Sequence, residues 1–445
     1  MSVKDRLKRL TGEGQPAVSG TARQELISEL RRRVDAIMAR RAAYPQRTVT
    51  PASGRSTTAR ALDEVITGEE VNTGCGACFF TRSMFRAESY HGNIQVARLA
   101  GSDMKAAALL AGRPEIARMD LADAVFLDTE TTGLAGGTGT FAFLVGLGWF
   151  EGRDFVVCQL FARDFHEEPS MLSLLQDMTA GKRFLVTFNG RAFDVSLLSA
   201  RYILNRLEDP LAGMPHLDLL FPSRKLAGHR LENCRLVTLE NEILGFTRTG
   251  DVPGWEIPSR YFDWLRSRDG TLLEDVFLHN RLDIVSMAAL VSHFTDIVAR
   301  GNELPHCHPG DLLAAARLHL QHGDNRIARA FLEALMGSPD PLVVRDAGRT
   351  LSLFFKRQGR WEDAVRIWQD MMVRDPGDLF AAEEMAKWLE HRAYDHLRAI
   401  EIVETALSGS GTLSLADRSS LAHRLARLKR KAASAGRRPP EESQG

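Results

Sequence analysis

The acidic residues best placed to do chemistry fall in three short segments that are far apart in the chain. In the first segment, Asp128 and Glu130 follow an apolar run at residues 124–127. Because side chains alternate along a strand, two residues that are two positions apart point to the same face. Two carboxylates on one strand end can hold a divalent cation, since hard cations prefer oxygen ligands. Acids commonly end strands, so this pair needs partners to indicate a site.

The second segment, residues 188–194, predicts a buried strand that turns directly into a helix. Asn189 and Gly190 are typical turn residues, and Asp194 falls in the first turn of the predicted helix. A carboxylate at a helix start is also explained by capping or by the helix dipole. Asn189 and Gly190 equally allow close approach of the backbone to a ligand, so both interpretations stay open.

The third segment places His279 and Asp283 in a long predicted helix. Residues four apart share a helix face, and Val276 and Leu290 lie on or close to the same stripe. Burying an acid without a partner costs free energy, and this favours a metal or a charged neighbour for Asp283. His279 taken alone is more simply a hydrogen-bonded core histidine.

Taken together, these segments supply four carboxylates and a histidine, in the order expected for two-metal phosphodiester hydrolysis. Two Mg²⁺ or Mn²⁺ ions fit a set of oxygen-only ligands. The histidine would orient or deprotonate the attacking water. The sequence therefore predicts a metal-dependent nuclease with Asp128, Glu130, Asp194 and Asp283 as ligands and His279 beside them.

The elements predicted around these residues indicate an α/β domain. Three strand-like runs at 124–130, 140–150 and 155–162 come first, and alternating helices and strands follow up to about residue 299. Strands at short spacing followed by alternating elements predict a mixed sheet flanked by helices, as in a ribonuclease-H-like fold. A Gly-rich loop at 133–140 lacks the ending of a phosphate-binding loop, and we interpret it as a turn beside the site.

The motifs resemble those of a known family. Asp128-Thr-Glu-Thr-Thr-Gly133, the Asn189 to Asp194 turn and His279-x₃-Asp283 are similar to the three exonuclease motifs of the DEDD superfamily. Residues 121–290 resemble the YprB-type ribonuclease-H-like family. The resemblance implies a 3′→5′ exonuclease whose four acids bind metal and whose His279 is the general base. The histidine subtype usually spaces its histidine five positions before the last Asp, whereas the spacing here is four.

Past residue 305 the sequence becomes helical and repeats itself. Gly323, Ala328 and Leu332 have counterparts 36 residues later, and Ala364 returns as Ala399. A period near the ~34 residues of tetratricopeptide repeats predicts stacked helix pairs. The sequence thus predicts an all-α, tetratricopeptide-like domain, which would offer a surface for a protein partner.

These patterns predict four parts: a basic, partly disordered arm and linker at 1–120, the ribonuclease-H-like domain at 121–302, helical repeats at 308–408, and a basic polar tail at 409–445. The arm's first 60 residues hold 13 Lys and Arg against 5 Asp and Glu, although the whole chain has equal numbers of both charges. Net charge therefore excludes no class of partner, whereas the distribution of charge favours a basic arm.

Composition predicts a cytoplasmic protein without a membrane partner. The start lacks the apolar run of a secretory signal, and no apolar run reaches the ~20 residues of a membrane helix. Five scattered cysteines indicate free thiols. Cys75 and Cys78 could form half of a zinc site with residues 306–308, but a single pair is a weak signal.

The predicted substrate is the 3′ end of a nucleic acid, with a single strand favoured. Discrimination between DNA and RNA stays open, because it rests on contacts to the 2′-OH that no motif encodes. Two alternatives also remain: a domain that binds nucleic acid without cleaving it, and a scaffold that acts through the repeats.

Overall fold

The computed structural model describes residues 59–133, 139–408 and 415–435. The first 58 residues of the predicted arm, most of the Gly-rich loop and the end of the predicted tail lie outside this description.

A sheet of seven strands forms the centre of the first part of the chain. The strands are β1 Glu69–Thr73, β2 Gly76–Phe85, β5 Ala124–Thr131, β6 Ala142–Glu151, β7 Asp154–Phe161, β8 Phe184–Thr187 and β9 His216–Asp218. Their order across the sheet is β1-β2-β7-β6-β5-β8-β9. β5 pairs antiparallel with β6 and parallel with β8, and β8 is parallel to β9. A separate small ribbon pairs β3 Tyr90–His91 with β4 Ile94–Gln95.

Helices of the sheet region cover both faces. They are α1 Leu62–Val65, α2 Val96–Leu99, α3 Met104–Ala111, α4 Glu168–Thr179, α5 Asp194–Leu204, α6 Leu220–Leu226, α7 Leu236–Leu239, α8 Ile257–Ser267 and α9 Glu274–Arg300. Short 3₁₀ turns lie at Pro114–Arg118, Leu121–Asp123, Phe165–Glu167, Gly270–Leu272 and Gly301–Glu303, and a π turn follows α7 at Glu240–Leu244. The predicted mixed sheet with flanking helices is therefore confirmed.

The two faces of β5 belong to different halves of the core. Val125 and Leu127 pack in the cluster that includes α4, α5 and α8, whereas Phe126 packs in the cluster that includes the later turns of α9. All three side chains are fully buried. A central strand covered on both sides needs a continuous apolar run, and this explains why residues 124–127 carry no polar residue.

The first turns of α9 approach β6 closely because two strand residues lack side chains. A Cβ at Gly146 would lie 2.3 Å from Oδ1 of Asn280, and a Cβ at Gly148 would lie 2.4 Å from Cγ2 of Ile284. Only glycine fits where a helix approaches so closely. Gly146 and Gly148 thereby set the distance at which α9 presents its polar residues to β5 and β6.

The sheet begins earlier in the chain than the predicted boundary at residue 121. β1 and β2 form a hairpin that extends the sheet beside β7, and α3 packs against α9. Residues 59–120 therefore belong to the folded unit rather than to an arm or linker. The physical reason is that the β7 edge would otherwise expose unpaired backbone groups, which β2 covers.

The C-terminal region is all-α, as predicted. Its helices are α10 Pro309–His322, α11 Asn325–Leu335, α12 Pro341–Arg357, α13 Trp361–Arg374, α14 Leu379–Trp388, α15 His396–Ser408 and α16 Leu415–Ala435, with a π turn at Leu389–Ala393. Consecutive helices pack against each other in pairs.

A regular feature marks the turn inside each of three helix pairs. Gly323, Gly359 and Tyr394 have positive φ angles of 83°, 74° and 56°, so each adopts the left-handed conformation that ends a helix. Ala328, Ala364 and Ala399 then follow five residues later, and all three are fully buried. The turn and the small residue thus repeat every 36 and 35 residues, while the tetratricopeptide assignment itself stays a prediction.

The helical region continues the core of the sheet region. The described residues from 59 onward cluster as one compact unit, and buried side chains run without interruption from Leu226 and Val298 to Leu312 and Leu332. The segment 270–303 that contains α9 is long and apolar enough to span a membrane, but 72% of its most apolar window is buried in the fold.

Part of the predicted polar tail also folds. α16 buries Leu421 and Leu428 and packs against α15. Leu421, Leu425 and Leu428 recur at helical spacing, which supplies the apolar stripe that a docked helix needs.

Candidate active site

Asp128 and Glu130 lie at the carboxyl end of β5, where the strand leaves the core. Glu130 is buried, with 9% of its surface exposed, and Asp128 is half-buried. Asn280 of α9 donates a hydrogen bond from Nδ2 to Oδ2 of Asp128 at 2.9 Å. Gln159 in turn donates to Oδ1 of Asn280 at 2.9 Å, which fixes the amide so that its NH₂ group faces Asp128.

Asp194 is the first residue of α5 and follows a tight turn after β8. Asn189 in this turn has a φ of 64°, and a Cβ at Gly190 would lie 2.6 Å from Cβ of Thr187. Asp218 at the end of β9 accepts hydrogen bonds from the backbone N–H groups of Asn189 at 2.7 Å and Arg191 at 3.1 Å. The turn is thereby fixed by Asp218, whose role here is structural.

Asp194 is joined to the first segment by a side chain that lies between Asp128 and Glu130 in sequence. Thr129 donates from Oγ1 to Oδ1 of Asp194 at 2.5 Å. The C-terminal end of β5 and the N-terminus of α5 therefore meet at one place, since β5 and β8 are parallel neighbours. Thr129 thus belongs to the site, although the sequence pattern does not indicate it.

Asp283 of α9 faces the point where the C-terminal end of β5 meets the N-terminus of α5. Its charge raises the pKa of Asp128 and Glu130, as does the charge of Asp194. The structure therefore brings together all four predicted carboxylates, which come from β5, α5 and α9.

The electrostatics of this cluster are unfavourable for ionised acids. Burial is the main reason that the pKa of Asp128 and of Glu130 lies well above its usual range, and repulsion between the carboxylates adds to it. Burial also raises the pKa of Asp194 to about 6, against hydrogen bonds that act in the opposite direction. Clustered acids of this kind are stabilised by a bound cation.

His279 is held by a residue that the sequence did not single out. Its Nδ1 lies 2.7 Å from Oδ1 of Asp251, and its Nε2 lies 3.7 Å from Oδ2 of Asp283. Arg248 also approaches Nδ1, at the longer distance of 3.3 Å. A carboxylate can only accept, so the shorter contact places the proton on Nδ1 and leaves Nε2 free to accept one on the Asp283 side.

Arg248 places a positive charge beside the carboxylates. Its side chain is 3% exposed, and Nη2 donates to Oδ1 of Asp283. Glu240, which is fully buried, accepts two hydrogen bonds from the same guanidinium. Burial opposes the charged form of Arg248, but the carboxylates of Asp283 and Glu240 outweigh it and raise the pKa above its usual value.

The residues that sequence reasoning missed carry little local signal. Arg248 and Asp251 lie between the π turn and α8, in irregular chain about thirty residues before His279. Asn280 stands inside the third motif, and its neighbour Gly146 is one of two glycines in an apolar strand. The closely spaced Gly146 and Gly148 were the one sequence signal that a polar helix face packs there.

Two other groups of ligand-type side chains lie away from the four acids. Among the described residues, His229, His308 and Asp311 offer ligand atoms that lie within 4.8 Å of one another. Both oxygens of Asp311 are already bonded to Arg230, at 2.9 and 3.0 Å, which makes this an ion pair as it stands. Cys78 is buried while Cys75 is exposed at the hairpin turn, so the geometry gives no support for a shared zinc site.

Comparison with known proteins agrees with this geometry. Residues 125–295 match the family model RNase_H_2, described as belonging to the RNase_H superfamily. The chain is also 34% identical over 313 residues to the protein YprB of Bacillus subtilis (strain 168), which is named as uncharacterized. The similar region covers 69% of this chain and 74% of that relative.

Fold and matched model together show that residues 125–295 form a domain of the ribonuclease H superfamily, which indicates a nuclease acting on nucleic acid. Within that class, the extent of similarity shows that the chain belongs to the family of the Bacillus subtilis YprB protein. The matched residues include all four carboxylates and His279.

Proposed function

We infer that this protein is a metal-dependent 3′→5′ exonuclease that hydrolyses phosphodiester bonds of nucleic acid. The observation that carries the proposal is the convergence of the segments that hold Asp128, Glu130, Asp194 and Asp283. Asn280 of α9 donates to Asp128, and Thr129 of β5 donates to Asp194. Burying several acids together raises their pKa and is costly unless a ligand compensates. Membership of the ribonuclease H superfamily makes nucleic acid the class of substrate.

The donor set fits divalent cations. The four side chains offer only carboxylate oxygens, which suit Mg²⁺ and Mn²⁺. A pair of such ions held by Asp128, Glu130, Asp194 and Asp283 would lower the pKa of the attacking water and stabilise the leaving oxygen. Asn280 and Thr129 would orient the ligands, since they hydrogen-bond to Asp128 and Asp194.

The chain's own residues supply the proton transfer. His279 accepts the proton of the attacking water at Nε2, while Asp251 holds the ring through Nδ1 and stabilises the imidazolium that forms. The four-residue spacing to Asp283 keeps both side chains on one face of α9. Phe193, directly before Asp194 and 52% exposed, offers a ring on which a terminal base can stack.

The direct test is release of nucleotides from labelled strands in the presence of Mn²⁺ or Mg²⁺. Wild-type protein should shorten 5′-labelled strands progressively and release label at once from 3′-labelled ones. The double variant Asp128→Asn with Asp194→Asn should lose this release and remain folded. Asp177→Asn, an exposed acid of α4, serves as the matched control. Unchanged release by the double variant would rule out the assignment.

A second candidate function is a domain that binds nucleic acid without cleaving it. The observation that favours it is Arg248, whose guanidinium already neutralises Asp283. In that case Mn²⁺ would neither bind at the four acids nor change the fate of a bound strand. Retention of intact strands by wild-type protein with Mn²⁺ present distinguishes the two functions.

A further inference from the structure

A pocket in the helical region combines indole rings with positive charges. It has a volume of about 310 Å³ and lies among α12, α13, α14, the π turn after α14, and α16. The residues that line it are Lys356, Trp361, Glu384, Lys387, Trp388, His391, Arg392, Arg424 and Arg427. None of the residues proposed to act in nucleotide release lines this pocket.

Two half-buried tryptophans line the pocket, and one of them already carries a cation. Arg392 lies over the ring of Trp361, with 4.9 Å from its guanidinium carbon to the ring centroid. In the described part of the chain Arg392 forms no ion pair with a carboxylate, and it is exposed. A guanidinium that is stacked on an indole and has no carboxylate partner can bind a phosphate, and the second indole, Trp388, can stack on the neighbouring base.

The charges around the pocket do not cancel. Lys356, Lys387, Arg392, Arg424 and Arg427 line the pocket, and Lys431 pairs with Glu390 beside it. Among the described residues, the carboxylates that pair with these six cations are Glu383, Glu384 and Glu390. This leaves a formal excess of three positive charges. The pocket is therefore complementary to an anion.

The carboxylates instead keep the cations in place. Glu390 is fully buried and accepts two hydrogen bonds from Arg427, both at 2.8 Å. It also pairs with Arg424 at 3.1 Å. Charged donors that are held in position lose less freedom when they bind a ligand than free side chains do.

We propose that this pocket binds single-stranded nucleic acid, with phosphates on the cations and a base against Trp361 or Trp388. A single strand fits because its bases are free to stack, whereas bases in a duplex are not. An acidic protein segment would satisfy the charges without using the rings. The choice of nucleic acid rests on the proposed function, but the pocket is separate from the four carboxylates and can be tested without cleavage.

The test measures binding of fluorescein-labelled oligothymidylate and oligouridylate by fluorescence anisotropy. The protein is the full chain with Asp128→Asn and Asp194→Asn, and chelator is present, so that no strand is cleaved. Adding Arg392→Glu or Trp388→Ala should weaken binding on the order of ten- to 100-fold. Arg392→Glu should also reduce the slope of log affinity against log salt by about 0.7 for each lost phosphate contact.

Arg329→Ala is the matched control, because Arg329 lies over Phe355 in the same helical region but does not line the pocket. It should bind as the parent does. Quenching of tryptophan fluorescence by the unlabelled strand should decrease in Trp388→Phe, which keeps a ring in the core.

Two results would overturn the proposal. One is equal affinity of the parent and Arg392→Glu, whose exposed side chain can change without loss of folding. The other is displacement of the strand by polyglutamate of matched charge with no tryptophan quenching, which would indicate an acidic protein partner. Loss of binding in the pocket variants would support the pocket if the same substitutions, made in the wild-type chain, leave nucleotide release from short strands normal. Nucleotide release by the wild-type chain reports on the catalytic assignment separately.

Discussion

Carboxylates of two regions of this protein have pKa values that are shifted in opposite directions. At the end of β5, Asp128 and Glu130 repel Asp194 and Asp283, and burial raises the pKa of both. In the helical region, Glu390 is surrounded by Arg424, Arg427 and Lys431. Although burial acts in the other direction, hydrogen bonds from Arg427 and Lys431 lower the pKa of Glu390 to about 2.

This difference separates an acid that is paired within the fold from the acids that we propose as metal ligands. Glu384 follows the pattern of Glu390, since Lys356 and Lys387 lower its pKa against the effect of burial. In the carboxylate cluster, Arg248 is the cation that the described residues supply, and it forms ion pairs with Asp283 and Glu240. Asp128, Glu130 and Asp194 lack a cation at salt-bridge distance among the described residues, and this is the state that a metal site requires before its ions bind.

The largest effect is expected from Glu130→Gln in the carboxylate cluster. Nucleotide release should fall by more than the ~100-fold that loss of an outer-shell partner costs, because a direct ligand is lost. At the same time the metal-free protein should melt at a higher temperature, since one repelling charge is removed. Nucleotide release and calorimetry with chelator measure the two effects.

Glu88→Gln, an exposed acid, is the control for that comparison and should change neither quantity. A lower melting temperature for metal-free Glu130→Gln would mean that Glu130 stabilises the fold, as Glu390 does.

Glu390→Gln should have the opposite effect on stability. The glutamine amide keeps one acceptor oxygen but removes the negative charge that Arg424 and Arg427 share, and breaking such a buried ion pair costs about 3 kcal/mol. The free energy of unfolding, measured with urea, should fall by that amount, while release from short strands stays normal. An unchanged free energy of unfolding would show that Glu390 contributes nothing and that the two regions do not differ as described.

The irregular chain between α7 and α8 shows where sequence reasoning stops. Asp128, Glu130, Asp194, His279 and Asp283 could be placed because alternation along a strand and the four-residue repeat of a helix are regular. Arg248 and Asp251 could not, since a loop has no period and their contacts depend on the tertiary fold. β1 and β2 were missed for a related reason. An edge hairpin is identified by its pairing with a neighbouring strand, here β7, and that pairing is not visible in the local sequence.

The same limit applies to the helical region. Gly323, Gly359 and the recurring alanines predicted helix pairs correctly, because each turn needs a left-handed residue and each crossing a small one. Tyr394 takes the left-handed position in the third pair, so a search for glycine alone overlooks it. The pocket of Trp361 and Trp388 joins residues from separate helices, and their proximity has no signature in the sequence.

The smallest predicted effect is the response to acid without metal. Asp194 has its pKa raised from 3.8 to about 6, so its folded form binds a proton before its unfolded form does. Stability should therefore rise as pH falls from 7 through 6, and Asp194→Asn should reduce that rise while leaving the part that comes from the raised pKa of Asp128 and Glu130. Glu390 has a lowered pKa, so its stabilisation is present above pH 4.5 and is lost as pH falls toward 2.

Calorimetry of the two variants across this range tests the signs. If the melting temperatures of Asp194→Asn and of the wild-type protein change in parallel between pH 7 and 5, the pKa of Asp194 is not raised.

The central claim is tested most directly by a crystal structure of wild-type protein grown with Mn²⁺, using the anomalous signal of manganese. We predict strong anomalous peaks among Asp128, Glu130, Asp194 and Asp283, and their loss in crystals of Asp128→Asn with Asp194→Asn. Manganese bound only at His229, His308 and Asp311, or absent from the four acids while Arg248 still covers Asp283, would contradict the account.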